Sequence, residues 1–240
     1  MKLPTESNYT GTSINNIKML IYGASKIGKS TFASHFDNAI FAATEYGLKE
    51  LKVYKVQIQS WEEWLDFVKE IMKKNHKFKT IIIDIIDNLY KYCIDYICKN
   101  LHIDHPSDSK WSKGWDQLQR EFERTIYQLD NAGFGLIFIS QIDYINISVI
   151  KNIERLKTIP SMKKGCARII QPLVDIIGCI YLKKINNEDK RIIRFMPTEL
   201  IEAGSRLNKL PDEMILDYDK FKYLMNKNKI KKLEDKGNGN

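Results

Sequence analysis

The chain has 240 residues, 43% of them hydrophobic and 28% charged, with a mean hydropathy of −0.37. That composition is globular, enough for a sizeable core in one domain, and without an apolar run of about 18 residues no transmembrane helix is expected. The net charge of +8 and pI of about 9.1 favour an anionic partner such as nucleic acid, although a lysine-rich surface is often only a solvated one.

The first residues, MKLPTESNYTGTSINN, lack an apolar signal core and read as a flexible lead over 1–14. IKMLIY (17–22) is apolar and β-branched, a strand. Next comes G-x-x-x-x-G-K-[ST]: Gly23, then Ala24, Ser25, Lys26 and Ile27, then Gly28, Lys29 and Ser30, with Thr31 following. The glycines let backbone N–H groups curl around phosphate oxygens. Lys29 would reach the β- and γ-phosphates, and the Ser30 hydroxyl would ligate Mg²⁺. A helix over STFASHF (30–36) would aim its positive end at the anion. The cofactors implied are ATP and Mg²⁺.

AIFAAT (39–44) and VYKVQI (53–58) read as strands. Ser60 opens a helix, WEEWLDFVKEIMKK, with a Ser60–Glu63 capping box and a core face of Trp61, Trp64, Leu65, Val68, Ile71 and Met72. KTIIIDII (79–86) is an apolar strand ending in acid, and LYKYCIDYICKNL (89–101) is a helix. A polar loop (102–114) leads to an amphipathic helix over 115–133, closed by Gly133. FGLIFIS (134–140) is a buried strand, and residues 141–170 read as a long polar-basic stretch to which Gly165 adds flexibility. IIGCIYL (176–182) and RIIRFMP (191–197) are strands joined by the turn NNED. Strands alternating with helices argue for a mostly parallel sheet covered on both faces, with this antiparallel hairpin at one edge. The core is expected over 15–218. A basic tail over 219–240 follows; within residues 220–236, Lys220, Lys222, Lys227, Lys229, Lys231, Lys232 and Lys236 oppose Glu234 and Asp235. Cys93, Cys98, Cys166 and Cys179 lack paired spacing and read as reduced, buried thiols, which implies a cytosolic setting.

Hydrolysis needs more than a phosphate loop. Asp84, ending KTIIID, suits Mg²⁺; Asp87 either supports it or caps the helix at 89. Glu45, just after AIFAAT, suits the water-activating base, and the amide of Gln141 would sense the γ-phosphate. Parallel strands bring their C-terminal ends to one edge, so these residues should converge.

This order resembles the RecA-type recombinase core: phosphate loop, strand ending in Glu45, strand ending in Asp84, strand ending in Ser140-Gln141. More closely, ATEYGLKEL (43–51), TIIIDIIDNLYKYC (80–93), GWDQLQREF (114–122) and EAGSRLNKLPDEM (202–214) resemble the short phage-encoded "AAA domain" nucleotide-binding proteins, RecA cores without flanking domains. The resemblance spans about residues 17–215. It implies an α/β RecA-like P-loop fold, a catalytic role for Glu45, and a DNA-binding loop after Gln141. That loop would use Lys151, Arg155, Lys157, Lys163, Lys164 and Arg168, with Tyr144 stacking on a base. It also implies a homo-oligomer in which Arg206, with Lys209 nearby, completes a neighbour's active site. The expected function is a DNA-stimulated ATPase acting on single-stranded DNA in phage recombination, annealing or replication. It would work in the host cytoplasm, with a single-strand-binding protein as a further partner and no membrane. Rival readings are a helicase-loader or packaging-type motor working through a protein, an annealing protein that hydrolyses little ATP, and a small-molecule kinase.

Overall fold

The computed structural model describes residue 3, residues 13–149 and residues 153–226. Strand β1 (Lys18–Gly23) runs into the short helix α1 (Lys29–Ser34), then strands β2 (Ala39–Ala43) and β3 (Tyr54–Gln57). Helix α2 (Trp61–Met72) begins where Ser60 Oγ accepts from the Glu63 N–H at 3.2 Å. The Glu63 carboxylate accepts from the Gln59 N–H at 2.7 Å, one residue before the position a capping box uses. Strand β4 (Thr80–Asp84) passes directly into α3 (Ile86–Leu101), so this helix starts three residues earlier than the periodicity predicts. Two 3-10 turns, Pro106–Asp108 and Lys110–Ser112, shape the polar loop before α4 (Lys113–Asn131). Strand β5 (Gly135–Ser140) follows.

Among the described residues the main sheet has nine strands. Its path includes β3, β2, β4, β5 and β1, all mutually parallel. It continues through β8 (Ile176–Ile185), parallel to β1, and β9 (Glu188–Arg194), antiparallel to β8, to the edge strand β11 (Glu213–Ile215). The two-residue β10 (Gly204–Ser205) pairs with the start of β8. The phosphate-loop strand β1 is thus separated from the Asp84 strand β4 by β5. This is the expected mostly parallel α/β sheet that carries a phosphate loop, with the expected antiparallel hairpin, β8–β9.

The strands are apolar throughout because both faces are covered. Leu20, Ile81, Ile83, Leu136 and Phe138 point to a cluster formed with α2, α3, α4 and α5 (Lys164–Leu173). Met19, Ile21, Ile82, Ile137 and Ile139 point to the other cluster, with Phe32 and Ala33 of α1. Trp61 and Trp64 are fully buried, their indole N–H groups donating to Glu121 Oε1 and Thr125 Oγ1, both at 3.1 Å. All four cysteines are free and buried. Among the described residues no helix is long and apolar enough to cross a membrane.

Two expectations are corrected. The stretch over 141–170 is largely regular structure among the described residues: strands β6 (Ile142–Val149) and β7 (Ile153–Pro160) form an antiparallel two-stranded ribbon, and α5 follows. Gly165 lies inside α5, where an added Cβ would run into the Tyr90 hydroxyl, so it permits close packing and is not a hinge. The core also extends past 218. Residues 218–226 are helical and bury Tyr218, Phe221 and Met225 against Phe32, Phe36 and Phe195. Most of the expected lead and the remainder of the basic tail lie outside the described residues.

Candidate nucleotide site

At the end of β1 the chain turns sharply. Gly23 adopts φ 155° and Gly28 φ 105°, conformations that disfavour a side chain, and a Cβ on Gly23 would run into the Ile180 carbonyl oxygen of the neighbouring β8. Lys29, the first residue of α1, is only 6% exposed. Its Nζ donates to the carbonyls of Gly23 and Ala24, both at 2.8 Å, and to Gln141 Oε1 at 3.0 Å. Burial pushes the Lys29 ammonium below the usual lysine range, while Asp84, Glu45 and Asp87 pull it back up. One buried lysine therefore stands among three carboxylates and can exchange its backbone acceptors for a phosphate oxygen.

Asp84 ends β4 almost fully buried, and burial raises its carboxyl above the usual range; Glu45 adds to the rise, while a hydrogen bond from Ser30 and the charge of Lys29 oppose it. Beside it, Thr44 locks the end of β2 to the end of β4. The Thr44 N–H donates to the Asp84 carbonyl at 2.7 Å, and Thr44 Oγ1 accepts from the Ile85 N–H at 2.7 Å and donates to the Ile85 carbonyl at 3.0 Å. The Asp84–Ile85 peptide is cis. That grip sets Glu45, the next residue, on the same rim, exposed, with Asn88 Nδ2 donating to its Oε1 at 3.4 Å. Lys29, Ser30, Glu45, Asp84 and Gln141 are thus brought together, as the strand-end argument predicts. Ser30 and Asp84, which meet at the loop, are a pair of hard oxygen donors that suits Mg²⁺. Such an ion would neutralise charge on the phosphates it bridges.

Gln141 joins this rim to the ribbon. Its side chain accepts from Lys29, and its carbonyl accepts from the Ser161 N–H at 3.0 Å, which closes the other leg of the ribbon. The Ser161 hydroxyl donates to Asp87 Oδ1 at 2.7 Å; Asp87 Oδ2 is buried without a partner among the described residues. Burial raises the Asp87 carboxyl. Asp87 is therefore tied to the foot of the ribbon from the first turn of α3. Thr44 and Ser161 escape sequence reasoning. Thr44 had one usable signal, its place beside Glu45, whereas Ser161 had none, because the ribbon that returns it to Gln141 was read as a loop.

Arg206 is not at this rim. Gly204 and Ser205 pair with Ile177 and Ile176, level with Met19 at the start of β1, whereas the phosphate loop leaves β1 level with Ile180. The Arg206 guanidinium donates to the Pro172 carbonyl, and Lys209 Nζ donates to the Met225 carbonyl at 2.6 Å. Of the basic set expected to meet DNA, Lys151 lies outside the described residues. Arg155 is paired with Glu199 at 3.5 Å and Lys157 with Glu202 at 3.7 Å, while Lys163, Lys164 and Arg168 are exposed, as is Tyr144 at 54%.

The SPbeta prophage-derived uncharacterized protein YorG of Bacillus subtilis (strain 168) is 25% identical to this chain over 182 residues. The match covers 72% of this chain and 53% of YorG, so the chain spans about half the length of that relative. The crystal structure of the KaiC-like protein PH0186 from the archaeon Pyrococcus horikoshii OT3 aligns over 75% of this chain and 77% of that one, with a TM-score of 0.43 and 16% identity. The AAA domain family matches residues 15–207, a span that contains the phosphate loop, Glu45, Asp84 and Gln141. The chain belongs to the AAA domain family, whose match takes in the phosphate loop.

Proposed function

We propose that the protein binds and hydrolyses ATP with Mg²⁺ at the rim formed by Gly23–Thr31, Glu45, Asp84 and Gln141, and that it couples this cycle to single-stranded DNA in phage recombination, annealing or replication. Glu45 orients and deprotonates the attacking water, Lys29 holds the phosphates, and Ser30 with Asp84 holds the ion. The observation that carries the coupling is the position of Gln141. Its side chain bonds to Lys29 while its backbone closes the β6–β7 ribbon through Ser161. A γ-phosphate competes with Gln141 for Lys29, so nucleotide binding changes the anchor of the ribbon. The ribbon, Tyr144, and the exposed Lys163, Lys164 and Arg168 at α5 provide the surface for the strand. Arg206, on the far rim, serves the nucleotide of the next subunit in a homo-oligomer. The prophage origin of the relative YorG supports the phage setting.

ATP turnover measured with and without single-stranded DNA tests this. Wild type is expected to be stimulated, Gln141→Ala to lose most of the stimulation ratio, and Arg206→Ala to lose turnover that a Lys29→Ala subunit restores on mixing. Turnover indifferent to DNA would refute the coupling, and normal hydrolysis by Arg206→Ala would remove its role.

A further inference from the structure

The β8–β9 hairpin rises past the rim that carries the phosphate loop. Ile193 of β9 pairs with Ile180, which is level with Gly23. Ile193 packs in the cluster that also holds Phe32 and Ala33 of α1. Two residues earlier on the same strand face, and therefore on the α1 side, stands Arg191. A Cβ built on Gly28 would lie 3.5 Å from an Arg191 guanidinium nitrogen and 3.4 Å from Leu216 Cδ2. Arg191 is held there by its backbone: its strand pairs with β8, and its carbonyl accepts from the Leu216 N–H at 2.8 Å. Lys183, Lys190 and Arg194 on the same hairpin are ion-paired with Glu213, Glu188 and Glu213. Arg191 is exposed and has neither an ion pair nor a side-chain hydrogen bond among the described residues. A free guanidinium fixed on a sheet strand and aimed at the loop residue before Lys29 has an evident use. The pocket itself sets one buried lysine among three carboxylates, Glu45, Asp84 and Asp87, so a polyanion seated there gains from a further cation even beside the Mg²⁺ that Ser30 and Asp84 would hold.

We infer that Arg191 is an in-chain binding residue for the nucleotide, its guanidinium hydrogen-bonding the phosphate chain from the side of the loop opposite β5. This deepens the nucleotide reading of the phosphate loop and rests on it. It assigns Arg191 to the subunit's own nucleotide, in contrast to Arg206, which can only serve a neighbour's.

Equilibrium binding of ATP and ADP to the full chain, together with thermal unfolding without nucleotide, tests the inference in wild type, Arg191→Ala, Arg191→Lys and Lys29→Ala. Arg191→Ala is expected to weaken both nucleotides about tenfold or more, the worth of a charge-assisted contact. It should also flatten the salt dependence of affinity and leave the unfolding midpoint in place. Arg191→Lys should recover part of the loss. If Arg191→Ala binds both nucleotides within about twofold of wild type while Lys29→Ala has lost them, the role of Arg191 is overturned and the nucleotide site stands. If Lys29→Ala binds like wild type, the nucleotide reading itself fails. A fall in the unfolding midpoint that accompanies the loss and is not relieved by lysine would assign Arg191 to structure and also overturn the inference.

Discussion

The phosphate-loop rim and the β6–β7 ribbon share one residue, Gln141, and are held by different physics. The rim is the end of a parallel sheet whose strands β1, β4 and β5 are buried on both faces, so its side chains inherit the rigidity of two hydrophobic clusters. The ribbon has only its own two-strand ladder, which alone is marginal in water. It is moored at few points: the Thr158–Ile201 bridge, the reciprocal backbone bonds of Thr158 with Leu200 and Glu202, the foot at Gln141 and Ser161, and the hydroxyl of Tyr22. A rigid rim beside a loosely moored ribbon is the arrangement in which a small change at a phosphate can move a large element. Four experiments break or sharpen this contrast.

The largest effect falls on the rim's foundation. Trp64→Ala removes a fully buried indole from the cluster that supports β4 and β5, and leaves Thr125 Oγ1 without its donor. The cost is about 3–5 kcal/mol, and circular-dichroism melts should show one transition moved to lower temperature. A variant that loosens only the ribbon would break the contrast.

Lys29→Ala comes next. It removes the cation that links the Gly23 and Ala24 carbonyls to Gln141. Turnover should fall by about a hundredfold or more, the scale of removing one donor that stabilises developing charge, as read by phosphate release. The melting curve should keep its shape. Unchanged turnover would leave the rim without its assigned chemistry.

How much of each region was legible follows from the same physics. The rim is written locally. A glycine spacing marks the loop, apolar runs mark strands buried on both sides, and each run ends at the residue that matters, Glu45, Asp84 or Gln141. The C-terminal hairpin was legible because its turn lies between two such runs. The ribbon does carry an alternation, Ile145-Asn146-Ile147-Ser148-Val149, which is a strand's period. Ile145 and Leu156 are nonetheless exposed, so the alternation there does not sort core from solvent, and the charges obscured it. The rim on which Arg206 sits depends on β10 pairing with the start of β8, a two-residue contact that no local pattern announces. Arg191 looked like one more strand lysine or arginine because its nearness to Gly28 is a fact of sheet order alone.

A smaller effect separates the two regions directly. The buried phenol of Tyr22 donates to the Glu202 carbonyl at 2.5 Å and lies 3.2 Å from the Thr158 carbonyl, linking the end of strand β1 to the ribbon's mooring. Tyr22→Phe deletes that link while keeping the ring in the core, at a cost of about 1–2 kcal/mol. Hydrogen exchange should quicken for the amides of β6 and β7 and stay unchanged over β4 and β5. Equal quickening in both would show that ribbon and rim open as one unit.

The smallest effect on stability is the most informative about the strand. Arg155 and Lys157 are engaged by Glu199 and Glu202, so DNA must compete with carboxylates for the ribbon's own cations. Changing both glutamates to glutamine removes the competition. Glutamine at 202 can still accept the bond that Gln171 Nε2 now gives to Glu202 Oε1, so the local packing survives. The Arg155–Glu199 pair is exposed and the Lys157–Glu202 pair half-buried and open to solvent; such pairs are worth about 0–1 kcal/mol, and the melting temperature should barely move. Affinity for single-stranded DNA should rise, and the log–log salt slope should steepen by about 0.7 for each phosphate newly neutralised. If the slope is the same as in wild type, Arg155 and Lys157 do not touch DNA. Contact would then fall to Lys163, Lys164 and Arg168 on α5, which belongs to the rigid part of the molecule because Cys166, Ile169 and Ile170 anchor it in the core. In that case the ribbon would report on the nucleotide without carrying the strand.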